Sequence, residues 1–146
     1  MKLIILAAGV GSRLGKKISK KPKSLIKIGN KTLIERLIRQ FEKNDVRNIN
    51  VIIGYKGNQI KKKFKKKYNF INYPNFRKTN NLHTLWYARK IINENVIISF
   101  ADLLVEDKII KKIVKSKQKI SLAVDSSKVR KGTMFVKHIK NKLIKI

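Results

Sequence analysis

The sequence is poor in several residue types, and each shortage limits what the chain can be. It has no cysteine, two prolines and eight acidic residues among 146 positions. Without cysteine there can be no disulfide framework and no thiolate metal site. No apolar run approaches the length of a membrane span, and no signal peptide precedes the first predicted strand. We therefore expect a cytoplasmic chain with no membrane partner.

The shortage of acidic residues leaves a large excess of positive charge. Lys and Arg total 37, which gives a formal net charge of +29. Such a charge often indicates nucleic-acid binding. Here the excess is mostly lysine and comes with abundant Ile and Asn, which share A/T-rich codons, so a biased genome can account for it. The densest run, residues 61–67, is interpreted as a solvated helix face rather than an RNA site. A nucleic-acid-binding module is therefore the lowest-ranked alternative.

The apolar pattern predicts one α/β domain covering residues 1–146. Short apolar runs, which predict buried strands, alternate with segments of helical periodicity. Continuous apolar strands separated by helices are typical of a mostly parallel sheet that is covered on both faces. The predicted strands are residues 2–6, 51–53, 70–73, 96–100 and 120–124. The predicted helices are residues 32–42, 60–64, 82–92 and 109–114, and residues 134–139 and 143–146 predict a hairpin.

The first predicted strand leads into a glycine-rich loop, Gly9-Val10-Gly11, and Lys-Pro-Lys-Ser-Leu follows at residues 21–25. Backbone N–H groups freed by glycine, together with Arg and Lys side chains, can bind a polyphosphate. The stretch is not a P-loop, because Gly15-Lys16 lacks both the upstream glycine and the following hydroxyl. It is not a dinucleotide fingerprint either, because Leu14 stands where a third glycine is needed.

Asp102 is the acidic residue with the clearest pattern, because it lies just past the end of a predicted buried strand. A carboxylate there can cap a following helix, or it can hold Mg²⁺ together with phosphate oxygens and water. We favour the metal. Ligands of parallel sheets bind beyond the carboxyl ends of the strands, and both Asp102 and the glycine-rich loop are expected at that edge.

Residues 6–14 and 21–25 together resemble the signature of the nucleotidyltransferases that join an NTP to a phosphorylated small molecule. The signature runs Leu-Ala-Ala-Gly-x-Gly-Ser/Thr-Arg-Leu/Met, then Lys-Pro-Lys-x-Leu. Residues 80–89 are also similar to a segment of the phosphocholine-type and inositol-phosphate-type cytidylyltransferases. The resemblance implies a Rossmann-like three-layer α/β/α sandwich. It also implies a C-terminally short chain, since full members of the family are longer.

The resemblance also assigns roles to individual residues. Arg13 would bind the β- and γ-phosphates, Lys23 would act at the α-phosphate, and Asp102 would ligate Mg²⁺. The nucleotide-binding residues would be Leu6, Ala7, Ala8, Gly9, Gly11, Ser12, Asn80 and Asn81. Trp86 and Tyr87 are expected to pack in the core or at an interface, and His83 and His138 are expected to be structural.

The predicted activity is Mg²⁺-dependent transfer of a nucleotidyl group from an NTP, with CTP favoured. The acceptor would be a phosphorylated small molecule such as phosphocholine, and pyrophosphate would leave. One alternative is a sugar-1-phosphate nucleotidyltransferase that uses UTP, dTTP or GTP. Another is a truncated nucleotide-binding protein without turnover. Completion of the site by a second copy, in a homo-oligomer, is left open.

Overall fold

The computed structural model describes residues 1–11, 21–65, 67–125, 135–140 and 142–145. The chain divides into two compact units, Met1–Lys115 and Ser116–Ile146. The first unit contains the strands β1 (Lys2–Ala7), β2 (Lys27–Ile28), β3 (Lys31–Thr32), β4 (Asn48–Ile53), β5 (Asn69–Asn72) and β6 (Val96–Phe100). Its helices are α1 (Leu33–Lys43), α2 (Gly57–Phe64), α3 (Asn81–Tyr87) and α4 (Asp107–Lys115), with short 3-10 helices at Lys23–Leu25 and Arg89–Ile91.

A four-stranded sheet in the order β5-β4-β1-β6 is the centre of the first unit, and all of its pairings are parallel. β1 lies inside the sheet between β4 and β6, and all six of its residues are buried. Its continuous apolar sequence follows from this position, because a parallel strand covered on both faces has no solvent side.

Helices cover both faces of this sheet. On one face Leu3 and Ile5 pack against Leu37 of α1, Ile60 of α2 and Ile110 of α4. On the other face Ile4 and Leu6 form a second cluster, against which Leu85 of α3 packs. Each buried Ile or Leu stabilises the fold by roughly 1.5–3 kcal/mol. These three layers confirm the predicted α/β/α fold with a parallel sheet.

Helix α1 begins with a capping box. The Thr32 hydroxyl accepts from the Glu35 backbone N–H, and the Glu35 carboxylate accepts from the Thr32 backbone N–H at 2.8 Å. Lys63 of α2 lies 3.0 Å from the same carboxylate and so connects α2 to the start of α1. Burial would raise the pKa of Glu35, but the hydrogen bonds from Thr32 and Lys63 outweigh it and lower that pKa to about 2.

Helix α2 carries part of the lysine-rich run. Ile60 is fully buried, whereas Lys62 and Lys63 are exposed, as expected for a helix with a solvated basic face. Within residues 1–11, 21–65, 67–125, 135–140 and 142–145, no helix is both long and apolar enough to cross a membrane.

The second unit contains a small antiparallel pair, β7 (Lys137–Ile139) and β8 (Lys142–Lys145). This pair confirms the predicted hairpin over its described residues. The strand predicted at residues 120–124 is wrong, because that segment is irregular and Ile120 is 86% exposed. An apolar run is insufficient for a strand, which also needs a neighbour to receive its backbone hydrogen bonds. The single-domain assignment stays a prediction.

Candidate active site

The candidate site lies where the strand order of the sheet reverses. From β1 the chain proceeds to β4 and β5 on one side, and β6 returns to the other side of β1. Open parallel sheets bind ligands at such a switch point, beyond the carboxyl ends of the strands. A cavity of about 370 Å³ opens here. Its lining residues are Leu6, Ala7, Gly9, Gly11, Lys23, Ser24, Asn81, Phe100, Ala101 and Asp102.

An ion pair lies at this cavity. The Lys23 Nζ and the Asp102 Oδ2 are 2.5 Å apart, and the side chains are 41% and 33% exposed. Lys23 begins a 3-10 helix after the buried Pro22, whose carbonyl accepts from the Leu25 N–H at 2.9 Å. Asp102 follows β6, and the Ala101 N–H donates to the Leu6 carbonyl at 3.1 Å. Regular backbone structure therefore holds both charged side chains.

The loop after β1 is held against the loop after β4. The Tyr55 N–H donates to the Ala8 carbonyl at 3.0 Å. The approach requires glycine at position 54, because an added Cβ would lie 2.8 Å from both the Ala8 oxygen and the Phe76 side chain. Gly11 has a φ of 69°, a left-handed conformation that glycine adopts without strain. The predicted phosphate loop thus uses glycine at position 11 for its own conformation and at position 54 for close contact with the neighbouring loop.

The adjacent asparagines before α3 do different things. Asn80 is the N-cap, and its Oδ1 accepts from the backbone N–H groups of Leu82 and His83 at 3.0 and 3.3 Å. Its Oδ1 also lies 3.0 Å from the His83 Nδ1. Asn81 lines the cavity. Helix capping therefore occupies the Asn80 side-chain oxygen, and the Asn81 side chain is the better candidate for contact with a ligand.

The structure brings most of the predicted site residues together. Those that line the cavity are Leu6, Ala7, Gly9, Gly11, Lys23, Asn81 and Asp102. Ala8 is buried beneath the loop, Asn80 caps α3, and neither lines the cavity. Ser12 and Arg13 lie outside the described residues. Their predicted roles in nucleotide and phosphate binding stay predictions.

Sequence reasoning missed three lining residues, Ser24, Phe100 and Ala101. Ser24 occupies the variable position of the Lys-Pro-Lys-x-Leu motif, so the motif did not single it out. Phe100 is the last residue of β6 and Ala101 follows it, and their place beside β1 follows from the strand order. The run of residues 96–102 predicted the strand and its terminal carboxylate, but not which strand would be its neighbour.

Of the two alternatives for Trp86, packing in the core is wrong, because its side chain is 65% exposed, and packing at an interface stays a prediction. The Arg89 guanidinium lies 4.6 Å from the centre of its ring, an arrangement that suits an exposed indole. Tyr87 is half-exposed, and its ring lies 5.1 Å from that of Tyr73. Tyr87 therefore packs at the surface against Tyr73, the residue that follows β5, and not in the core.

The donors at the cavity are compatible with a cation that also binds phosphate. Asp102 supplies hard carboxylate oxygens, and Mg²⁺ commonly takes one or two carboxylates together with substrate phosphates and water. Among the described residues no group of three or more His, Cys, Asp or Glu side chains could hold a metal by itself. Helix α4 begins only at Asp107, so Asp102 lies too far upstream to cap it. The metal role of Asp102 stays a prediction.

The parallel sheet, the switch-point cavity and the Lys–Asp pair define the class as a nucleotidyltransferase-like α/β protein. The chain belongs to the MobA-like NTP transferase domain family, whose model matches residues 3–138.

Among similar curated proteins is the CTP:phosphoglutamine cytidylyltransferase of Campylobacter jejuni, 34% identical over 137 residues. The match covers 87% of this chain and 53% of that protein. The choline-phosphate cytidylyltransferase of Streptococcus pneumoniae is 31% identical over 103 residues, 67% of this chain and 43% of that protein. The chain thus spans about half, or less, of the length of these two relatives.

Solved structures give the same fold. The CTP:phosphocholine cytidylyltransferase of Streptococcus pneumoniae superposes with a TM-score of 0.63 at 28% identity, over 69% of this chain and 44% of that one. The inositol-1-phosphate CTP transferase of T. maritima gives a TM-score of 0.66 over 80% of this chain and 49% of that one. At 17% identity the second likeness concerns the fold alone.

Proposed function

We propose that this chain binds CTP in the cavity between β1 and β6 and transfers its cytidylyl group to a phosphorylated small molecule. The observation that carries the proposal is the meeting of Lys23 and Asp102 at the switch point, beside the glycine-rich loop. A cation that can stabilise phosphate charge and a carboxylate that can hold a metal ion, both lining a cavity of about 370 Å³, are groups that nucleotidyl transfer uses.

The chemistry needs positioning more than proton transfer. A phosphate oxygen of the acceptor forms a bond to the α-phosphorus of CTP, and the bond from the α-phosphorus to the bridging oxygen of the β-phosphate breaks. Pyrophosphate leaves with that oxygen. The acceptor phosphate is already anionic, so no general base is required. What the site must supply is charge stabilisation around the phosphates.

The proposed role of each residue follows from its functional group and from its position relative to the cavity. Lys23 would leave Asp102 and bind the α-phosphate, where negative charge develops. Backbone N–H groups near Gly9 and Gly11 would approach the phosphates closely, since no side chain stands between them and the cavity. Arg13 would bind the departing pyrophosphate with its planar guanidinium, as the family signature implies. Mg²⁺, when bound to Asp102 and the phosphates, would neutralise the triphosphate.

The named relatives support cytosine as the base. The curated relatives from Campylobacter and Streptococcus are both cytidylyltransferases, and so is the glucose-1-phosphate cytidylyltransferase of Salmonella typhimurium, 34% identical over 64 residues. Their acceptors differ: a phosphoglutamine, a choline phosphate and a sugar phosphate. The last of these makes a sugar-1-phosphate the second candidate acceptor. Asn81, with an amide that both donates and accepts, is our candidate for contact with the base.

A matrix of substrates tests the proposal. The protein is incubated with Mg²⁺, one NTP at a time, and one acceptor at a time from phosphocholine, phosphoethanolamine and sugar-1-phosphates, and pyrophosphate release is measured. We expect release with CTP that is lost in Lys23→Ala and retained in Lys27→Ala, because Lys27 is an exposed lysine on β2 outside the cavity. Release with another NTP would contradict the base assignment. Nucleotide binding with no release would contradict the proposed turnover.

A further inference from the structure

Ser24 is a buried residue that the proposed chemistry has not yet used. It is only 4% exposed, and it lines the cavity between β1 and β6. Its hydroxyl has no hydrogen-bond partner. Among the described residues, it is the one buried side-chain polar group that lacks a partner. Buried hydroxyls in folded proteins are nearly always paired, so an unpaired hydroxyl beside a cavity is a candidate donor to a ligand that binds there.

The backbone holds this hydroxyl in a fixed place. Ser24 is the middle residue of the 3-10 helix Lys23–Leu25. The Leu25 N–H donates to the Pro22 carbonyl at 2.9 Å, and the Ile26 N–H donates to the Lys23 carbonyl at 3.1 Å. These bonds close a turn around Ser24. The backbone of Ser24 is therefore held by the same short element that positions Lys23.

The surroundings of Ser24 suit an anionic oxygen better than an apolar group. Lys23 is its neighbour in the chain, and Asp102 lies 2.5 Å from the Lys23 ammonium. If only packing mattered at position 24, alanine would fill it without leaving a polar atom unpaired. A hydroxyl next to a cation that is free to leave its carboxylate is a second donor for the same phosphate.

We propose that Ser24 is a nucleotide-binding residue whose hydroxyl donates a hydrogen bond to a phosphate oxygen of the bound nucleotide. The inference rests on the proposed function for the identity of the ligand. It adds a specific donor to the site and gives a partner to a buried hydroxyl that is otherwise unpaired.

The proposal predicts opposite effects of one substitution on two properties. Ser24→Ala removes an unpaired polar atom from the free protein, so its thermal unfolding temperature should stay the same or rise. The same change removes a donor to a charged oxygen, so affinity should fall by about tenfold. A purely structural role for Ser24 does not give this combination.

Ser99 is the matched control. It is also a buried serine, lies in β6, and its hydroxyl donates to the Phe100 carbonyl at 3.3 Å. Because that hydroxyl is already paired and does not line the cavity, Ser99→Ala should leave nucleotide affinity unchanged. Its unfolding temperature should stay the same or fall, and it should not rise.

Isothermal titration calorimetry with CTP and with inorganic tripolyphosphate, together with thermal unfolding without ligand, tests the proposal. We expect Ser24→Ala to weaken binding of both ligands about tenfold, with no loss of thermal stability. Unchanged tripolyphosphate affinity would overturn the proposal, and so would a clear fall in unfolding temperature, which would reveal a structural partner for the hydroxyl. If wild type binds tripolyphosphate but not CTP, the base assignment fails while the tripolyphosphate series still decides on Ser24. Binding of neither ligand would overturn both proposals.

Discussion

The ammonium of Lys23 lies 2.5 Å from the carboxylate of Asp102, and this ion pair joins the segment after the glycine-rich loop to the end of β6. Both side chains are partly exposed, so the pair contributes little to the stability of the fold. Its importance is chemical. In the nucleotide-free protein the proposed phosphate-binding cation and the proposed metal ligand neutralise each other. A triphosphate would draw the lysine away and leave the carboxylate available.

We therefore expect free Asp102 to bind a divalent cation better once Lys23 loses its charge. In Lys23→Gln, Mn²⁺ affinity without nucleotide should rise by up to about fivefold, the factor that corresponds to an exposed ion pair of up to ~1 kcal/mol. Electron paramagnetic resonance of free Mn²⁺ measures this directly.

Two further variants decide what that Mn²⁺ result means. Asp102→Asn should remove the binding, and Lys27→Gln, which changes an exposed lysine outside the cavity, should leave it as in wild type. Equal Mn²⁺ affinity in wild type and Lys23→Gln would contradict competition between lysine and metal.

Substitutions of the two neighbouring asparagines should affect different properties, protein stability in one case and CTP binding in the other. Asn80→Ala removes the side-chain oxygen that accepts from two N–H groups of α3, so it should lower the free energy of unfolding by about 1 kcal/mol. Asn81→Ala should leave stability nearly unchanged and weaken CTP binding, because Asn81 lines the cavity. Urea denaturation and calorimetry on both variants make the comparison. Loss of CTP affinity in Asn80→Ala alone would reverse the assignment.

Substitutions of Gly54 and Gly9 should also affect different properties. The first should lower stability, and the second should weaken ligand binding. In Gly54→Ala the new Cβ would lie 2.8 Å from the Ala8 oxygen and from Phe76, so we expect a loss of about 1–3 kcal/mol in the free energy of unfolding. In Gly9→Ala the new Cβ would meet nothing within 4 Å. That variant should fold as stably as wild type but bind tripolyphosphate more weakly, because the methyl group separates backbone from phosphate. Wild-type stability in Gly54→Ala would show that the two loops can shift apart.

Glu35 gives a prediction for acid solution. Burial opposes its ionisation, but hydrogen bonds from Thr32 and Lys63 lower its folded-state pKa to about 2, whereas the unfolded value is about 4.3. The stabilisation from this carboxylate is therefore complete above about pH 4.3 and is lost as the pH falls toward 2. Urea denaturation of wild type and Glu35→Gln from pH 6 to pH 2 measures it. The difference in unfolding free energy should shrink over that range, and a constant difference would contradict the assignment.

Much of the fold was predictable because its signals are local. The apolar run of β1, the helical periodicity of α1 and the apolar strand before Asp102 each produced the element that the pattern indicated. The edge of the sheet that holds the cavity followed from general rules for parallel sheets. The local pattern could not show which segments pair or pack with one another. Residues 120–124 have an apolar strand pattern but lack strand structure, and Trp86 has helical spacing but lies in solvent.

The site shows the same division. The glycine-rich loop and the Lys-Pro-Lys motif identified residues by type and spacing, and those that the structure describes mostly line one cavity. Asn80 is the N-cap of α3, and the nucleotide-binding role that the family resemblance gave it stays a prediction. Ser24 could not be found from the motif, because its significance is a missing hydrogen bond, which only three-dimensional packing reveals.

The central position of β1 has a consequence for how the protein is made. β1 has β6 as one of its two neighbours, and the Lys2 ammonium donates to the Asn93 side chain, 91 residues further along the chain. Closing so long a loop costs entropy before any contact rewards it, which slows folding. During synthesis β1 can pair with β4 first, but its other edge stays unpaired until β6 has emerged. The binding cleft is then among the last parts of the first unit to assemble.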